Sequence, residues 1–199
     1  MQMTFSRRAI LASSLALMAT GSARAMDAPA SAIQNFCARL VVAMREAAGQ
    51  SIQARYARLA PAMASAFDFG TMTRLAVGPA YGSASGGQQA AMRQAFEKFM
   101  GAYYANRIDG YSGEKFEVEP QAESRGGQKV VKTRLVKPGG GSTQIDYLMS
   151  GSRIIDIYLD GTISEVSSRR SEFASILASG GPDALVKALR DKSASLLGG

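Results

Sequence analysis

The stretch Val131–Leu159 reads VKTRLVKPGGGSTQIDYLMSGSRIIDIYL, and its alternation decides the fold. Val131, Thr133 and Leu135 alternate with Lys132 and Arg134, the period-two pattern of a strand with one covered face. Pro138 to Ser142 is a loose hairpin loop. Ile145, Tyr147 and Met149 then alternate with Asp146 and Ser150, Gly151-Ser152 marks a tight turn, and Ile154 to Leu159 supplies another strand. Upstream, Phe116 and Val118 alternate with charged residues. Strands joined by such short links pair antiparallel, so the spacing predicts a four-strand meander with one face to be covered.

On either side the period changes to that of helices. Ser31 to Gly49 predicts an amphipathic helix: Ile33, Phe36, Cys37, Leu40, Val41 and Met44 recur on one face, with Ser31 as N-cap and Gly49 just past the end. Ile52, Tyr56 and Leu59 continue helically to Pro61, where a kink or restart is expected. Asp68 is placed to cap a short helix through Ala76, ended by Gly78-Pro79. The small residues Gly82 to Gly87 lead into a longer helix carrying Met92, Phe96, Phe99, Met100, Tyr103, Tyr104 and Arg107, and Gly110 to Gly113 marks the change to strands. After Asp160-Gly161 the pattern is helical again. Phe173, Ile176 and Leu177 share a face, Gly180-Gly181 ends that helix, and Pro182 starts a last one with Leu185, Val186, Leu189 and Leu196. Helices, meander, helices make an α+β protein: a curved antiparallel four-strand sheet covered by N- and C-terminal helices.

The first residues carry a different message. Arg7 and Arg8 form a basic region, Ala9 to Ala19 is apolar, and Ala23-Arg24-Ala25 offers small residues for a signal peptidase. A helix of about 11 residues spans roughly 16 Å, too short for a bilayer core of about 30 Å. Residues 1–25 are therefore read as a secretory signal, exported by the general or the twin-arginine route, leaving a single domain from 26 to 199 in the periplasm. The chain has 23 basic and 16 acidic residues. Removing Arg7, Arg8 and Arg24 leaves 20 against 16, a mild net charge of +4. No basic block interleaved with aromatics supports nucleic-acid binding. Cys37 has no second cysteine to pair with and lies on an apolar face, where it reads as a small buried hydrophobe.

Most catalytic chemistry lacks its parts. There is no histidine, which removes Ser-His-Asp triads and the commonest zinc ligand. One cysteine removes thiolate metal sites and paired-cysteine redox chemistry, and no phosphate-binding glycine loop is present. No metal and no cofactor are expected. Carboxylates remain. Asp68 reads as a helix cap and Glu165 as an ion-pair or surface residue, while Asp156 lies in the apolar run Ile154, Ile155, Ile157 and calls either for a place on the outer face of the sheet or for a partner such as Arg153, Arg169 or Arg170.

Phe67-Asp68-Phe69, Met72 to Gly78 with Tyr81, then Gln88, Phe96, Phe99 and Tyr103-Tyr104 run in order along the helical part of the chain. Val131-Lys132-Thr133, Ile145-Asp146-Tyr147, Ile155-Asp156-Ile157, Asp160 to Ser164 and Arg169 to Phe173 follow. In this order and spacing the chain resembles, over Ser31 to Lys192, the MlaC/toluene-tolerance family of periplasmic auxiliary proteins of ABC-type lipid transport. Tyr81 stands where the family usually has Trp, and the Trp expected before the Asp156 strand is missing. Thr162 to Glu165 and Arg169 to Phe173 look closer to the hopanoid-associated branch called HpnM.

The resemblance implies an NTF2-like cone with a lipid pocket, a carrier rather than an enzyme, shuttling a phospholipid or hopanoid between membrane-bound transport complexes. A monomer is expected. Periodicity and resemblance together nominate Leu75, Phe96, Phe99, Tyr103, Val131, Thr133, Leu135, Tyr147, Ile155, Ile157 and Phe173 as pocket lining. Arg74, Arg107, Arg169 and Arg170, near the ends of elements, are nominated for docking to membrane or partner. Two other readings stand beside this one: a cavity enzyme using Asp156 or Asp68 as base, and a non-catalytic interaction module of the envelope.

Overall fold

The computed structural model describes residues 25–108 and 111–198. The proposed signal segment lies outside the described residues, apart from Ala25. Five helices come first: α1 (Ala28–Ala47), α2 (Ile52–Ala66), α3 (Phe69–Val77), α4 (Pro79–Ser83) and α5 (Gly86–Arg107). Six strands follow: β1 (Lys115–Val118), β2 (Glu123–Arg125), β3 (Gln128–Val136), β4 (Ser142–Ser150), β5 (Arg153–Leu159) and β6 (Ile163–Ser164). The chain closes with α6 (Glu165–Leu196), broken at Gly181 and Pro182, so that two helical segments run on at an angle as the glycine-proline pair predicts.

The caps explain most boundaries. Asp27, not Ser31, caps α1: its carboxylate accepts from the Ala30 amide at 2.9 Å, and Pro29 sits in the first turn. The same carboxylate accepts from the Ala122 amide at 2.8 Å, tying the start of α1 to the β1–β2 link. Asp68 caps α3 through the Thr71 amide at 2.9 Å. Ser85 and Gln88 form a reciprocal capping box on α5. Pro61 does not end α2, which runs on to Ala66. Its missing N–H forfeits one helical bond but its position is exposed, where the freed carbonyl meets water.

The sheet is antiparallel throughout, in the order β1-β3-β4-β5-β6, with β2 on the same edge of β3 as β1. The four expected strands are β1, β3, β4 and β5. The two additional ones are short. β2 is the outer arm of a two-residue hairpin in which Gly126 and Gly127 both take positive φ. β6 is a two-residue pairing that delivers the chain to α6.

The helices cover one face. Val131, Thr133, Tyr147, Met149, Ile154 and Ile157 meet them there. An aromatic chain crosses this layer edge-on, Phe69 to Phe96 at 6.4 Å and Phe96 to Phe173 at 5.7 Å, joining α3, α5 and α6. Helices α2 and α5 approach closely at Gly101, where any Cβ would lie 2.8 Å from the Tyr56 ring. A separate small cluster of Val130, Leu148 and Ile155, with Tyr158 against it, lies on the opposite face.

Candidate functional site

Between the helical layer and one end of the sheet lies a cavity of about 120 Å³. Its floor is the covered face of the sheet: Leu135, Ile145, Tyr147, Ile157 and Leu159, with Phe116 from β1. Its walls are Phe36, Leu40 and Met44 from α1, Leu59 and Met63 from α2, Phe67 after it, and Tyr104 and Ile108 at the end of α5. The α1 residues recur every four positions and so form one line down a helix face. Phe36, Leu59, Met63, Phe67, Tyr147 and Ile157 are fully buried, whereas Leu40, Ile108, Phe116, Leu135 and Leu159 are half-exposed. The cavity therefore has a closed inner end and a rim. The surface that the lining presents is almost wholly apolar. Such a lining is suited to hydrocarbon.

The nominated lining residues divide. Leu135, Tyr147 and Ile157 line the cavity. Phe96, Phe99, Val131, Thr133 and Phe173 are buried in the same helix–sheet interface but outside it. Tyr103 is part-buried beside Phe99, at 5.9 Å between rings. Leu75 is 39% exposed on α3 and lines nothing.

Ile155 lies on the other face of the sheet. Simple alternation groups Ile155 with Ile157, but the β4–β5 register shifts at Leu148/Met149. Met149 pairs with Ile154 and Leu148 with Asp156, leaving Ile155 as the extra residue of a bulge. The bulge turns Ile154 and Ile157 to the helices and sends Ile155 outward to Val130 and Leu148.

The same bulge brings Asp156 to the start of α6. Its carboxylate accepts from the Val166 amide at 3.0 Å, the Ser164 hydroxyl at 2.6 Å and the Ile157 amide at 2.8 Å. The expected arginine partner is replaced by three neutral donors and the positive end of a helix. Arg153 is engaged elsewhere, donating to the carbonyls of Ala64, Ser65 and Phe67 at the end of α2. For Asp68, burial pushes the pKa up, but the Thr71 amide and hydroxyl and the Arg153 guanidinium outweigh it and hold the carboxyl below the ordinary 3.8. Both candidate bases are thus helix caps, and neither lines the cavity.

Among the nominated arginines, Arg74 and Arg170 are exposed, and the Arg170 guanidinium lies over Gly78. Arg107 is exposed next to the rim residue Ile108 and stacks 4.5 Å from the Tyr103 ring. Arg169 is different: its side chain is only 12% exposed, paired with Glu165 at 2.7 Å and Glu172 at 2.8 Å. It also lies over the rings of Phe99 and Tyr103. Lys192 joins Glu172 to complete the network. Arg169 therefore fastens α6 to α5 and has no free face to offer a partner. Cys37 is buried beside Tyr147, and burial raises its pKa to about 12, so it is an inert thiol.

Missed by the sequence reading were the α1 and α2 wall, Phe36, Leu40, Met44, Leu59 and Met63, together with Phe67, Tyr104, Ile108, Phe116, Ile145 and Leu159. The α1 residues were visible as an apolar stripe, but a stripe does not announce a gap in what it packs against.

No curated protein sequence matches this chain significantly. Among solved structures, the phospholipid-binding protein from Ralstonia solanacearum, determined in complex with a phospholipid, shares the fold with a TM-score of 0.74. It is 19% identical, over 84% of this chain and 98% of that one. The family model described as MlaC protein matches residues 34–191. With most of its length so matched, and with the helix-covered antiparallel sheet that carries the cavity, the chain belongs to the MlaC family.

Proposed function

We propose that this chain is a periplasmic lipid carrier, a non-catalytic component of an ABC-type lipid transport system that holds acyl chains in the cavity between α1, α2 and the sheet. The observation that carries the reading is the cavity itself, an apolar slot with a closed inner end and an open rim in a chain of the MlaC family. The Ralstonia protein of the same fold holds a phospholipid, which supports the same ligand class here. Each methylene moved from water into such a slot contributes about 0.8 kcal/mol, enough for several to retain a lipid without any catalytic group.

The cavity as it stands is smaller than a whole acyl chain. At about 120 Å³ it lies well below the roughly 300–1,000 Å³ of pockets that bury most of a ligand. Uptake therefore widens the slot. Leu40, Met44, Leu59 and Met63 line its helical wall, and these side chains rearrange in steps around a flexible chain. A rigid fused-ring hopanoid needs its full cross-section at once, which favours a phospholipid as cargo. Residues 1–25 serve as the export signal, and intact mass of the exported protein should place its first residue at Met26. No helix among the described residues is long and apolar enough to cross a membrane. Arg107 at the rim, with exposed Arg74 and Arg170, is the surface proposed to meet anionic membrane or a transport complex.

Native mass spectrometry of the exported protein, followed by lipid extraction, tests the reading. The expected result is one phospholipid per chain. Hopanoid in the extract would change the cargo and keep the carrier. A chain that is empty from its own host, and that takes up no lipid from vesicles, would overturn the proposal.

A further inference from the structure

Behind the closed inner end of the slot lies a second space. A surface groove of about 270 Å³ opens at the seam between α1, the end of α2 and the β4–β5 turn, and Phe36 lines both it and the cavity. The two spaces follow one another along every element that borders them both. On α1 the line Met44, Leu40, Phe36 in the cavity continues one turn further as Ala32 in the groove. On α2 Met63 in the cavity is followed by Ala66 in the groove, and on β4 Tyr147 is followed by Met149, two residues on and on the same face. On β5 the bulge keeps Ile157 in the cavity and Ile154 in the groove on one face. Cavity and groove are therefore two ends of one cleft between α1, α2 and the sheet, divided at Phe36.

Phe36 is the movable member of that junction. Its ring meets Phe67 edge-on at 5.3 Å and Tyr147 at 6.0 Å. Tyr147 stands in the middle of the sheet, and Phe67 is fixed by its bridge to Ile154, with the Asp68 amide donating to the Ile154 carbonyl at 2.8 Å. Phe36 is carried by α1, and a change of its χ1 rotamer takes the ring out of the junction. The groove beyond has an apolar floor: Ile33, Met149 and Ile154 are buried, while polar Asn35, Arg39 and Ser152 stand exposed at its lip. Neither space alone reaches the roughly 300 Å³ at which pockets bury most of a ligand, and the two joined exceed it.

We infer that the terminal part of an acyl chain of the cargo displaces the Phe36 ring and runs on into the groove, so that Phe36 and the groove set which chain lengths are carried. This rests on the lipid-carrier reading above and adds a subsite to it. Short chains end in the cavity and leave the ring in place; long chains cross the partition.

The test uses the mature chain, delipidated, and vesicles of equal parts dilauroyl and dipalmitoyl phosphatidylglycerol. Mass spectrometry reads the ratio of the two lipids captured. Ala32→Trp fills the groove from α1 and Ser152→Trp fills it from the exposed β4–β5 turn, so either decides the matter if the other fails to fold. Each should lower the ratio of dipalmitoyl to dilauroyl lipid about fourfold for every methylene kept out of the groove, with dilauroyl capture as in wild type. Phe36→Leu shrinks the partition and should move the ratio the other way.

An unchanged ratio in the folded groove-filling variants would overturn the inference and leave the carrier intact. Equal loss of both lipids would show that the groove bears on the whole slot rather than on the chain end, and would overturn it too. A ratio unmoved by Phe36→Leu would remove Phe36 as the partition, and the inference with it. Capture of neither lipid by wild type would overturn the carrier reading itself.

Discussion

Replacing Leu40 by Trp asks whether the cavity is the place where lipid binds. Leu40 lies half-buried at the rim, on the α1 wall. Unfilled space lined by apolar groups costs about 24 cal/mol per Å³, so a void of 120 Å³ withholds about 3 kcal/mol from the folded state. Trp carries six more heavy atoms than Leu, about two water volumes or roughly 60 Å³, half of the void. By the same coefficient that fill recovers about 1.4 kcal/mol, less a few tenths for the imperfect fit of a rigid indole. A net gain of about 1 kcal/mol should raise the melting temperature of the lipid-free protein by about 2–4 °C. A lipid entering the slot must then expel the indole, so the same gain is subtracted from its affinity, about a fivefold loss. Thermal melts of delipidated protein and displacement of a fluorescent acyl probe measure the two effects. They must move in opposite directions. A more stable variant with unchanged lipid affinity would place the lipid elsewhere, and a less stable one would refute the volume on which the sum rests.

Arg169→Ala should destabilise the protein by about 3 kcal/mol in urea melts, because it strands Glu165 without its buried partner. Arg170→Ala, exposed over Gly78, should leave the melt nearly unchanged and slow transfer to anionic vesicles at low salt only; matching melts for the two variants would undo this division. Asp156→Ala should cost about 2–3 kcal/mol by leaving the donors at the start of α6 unpaired, with lipid retention per folded molecule unchanged. A fully stable variant would mean the carboxylate is not a cap. Acid should weaken the α6 network: burial raises the Glu172 pKa, but Lys192 and Arg169 outweigh it and hold the group below its ordinary 4.5. A depressed folded pKa means that the stabilisation is present above 4.5 and is lost as pH falls below it toward the folded value. Glu172→Gln should flatten that limb of the melting profile, and an identical slope in both proteins would remove Glu172 as its cause.

Alternation and caps made the architecture legible. Val131, Thr133 and Leu135 against Lys132 and Arg134 placed β3, and Asp68 with Gly78 bounded α3, because those signals are local. Three features were hidden because their causes are not local. The bulge at Ile155 depends on how β5 meets β4, so a pattern read along one strand groups Ile155 with Ile157. The engagement of Asp156 depends on β6 turning the chain back toward it, which supplies Ser164 and the Val166 amide in place of an arginine. Arg169 stands near the start of a helix, which reads as a place for a free cation, yet α5 lays Phe99 and Tyr103 beneath it.

The cavity was the hardest feature to read, and the reason lies in how the helical layer is packed. The stripes chosen for it, Phe96, Phe99 and Phe173, are large and aromatic, and such residues close the space between elements. Here they lock α3, α5 and α6 together through edge-on rings, and the Arg169 network reinforces that half. The opposite half is lined by Leu40, Met44, Leu59 and Met63, and α1 is joined to α2 by an exposed Arg58–Glu46 pair of the kind that contributes little. A slot of about 120 Å³ that admits an acyl chain needs one wall that holds and one that yields. The aromatic half has the interlocked rings, and α2 is held against α5 at Gly101 and by Arg153 at its end. The unbranched and flexible side chains repack at low cost, so widening is expected along the Leu40 and Met44 line of α1.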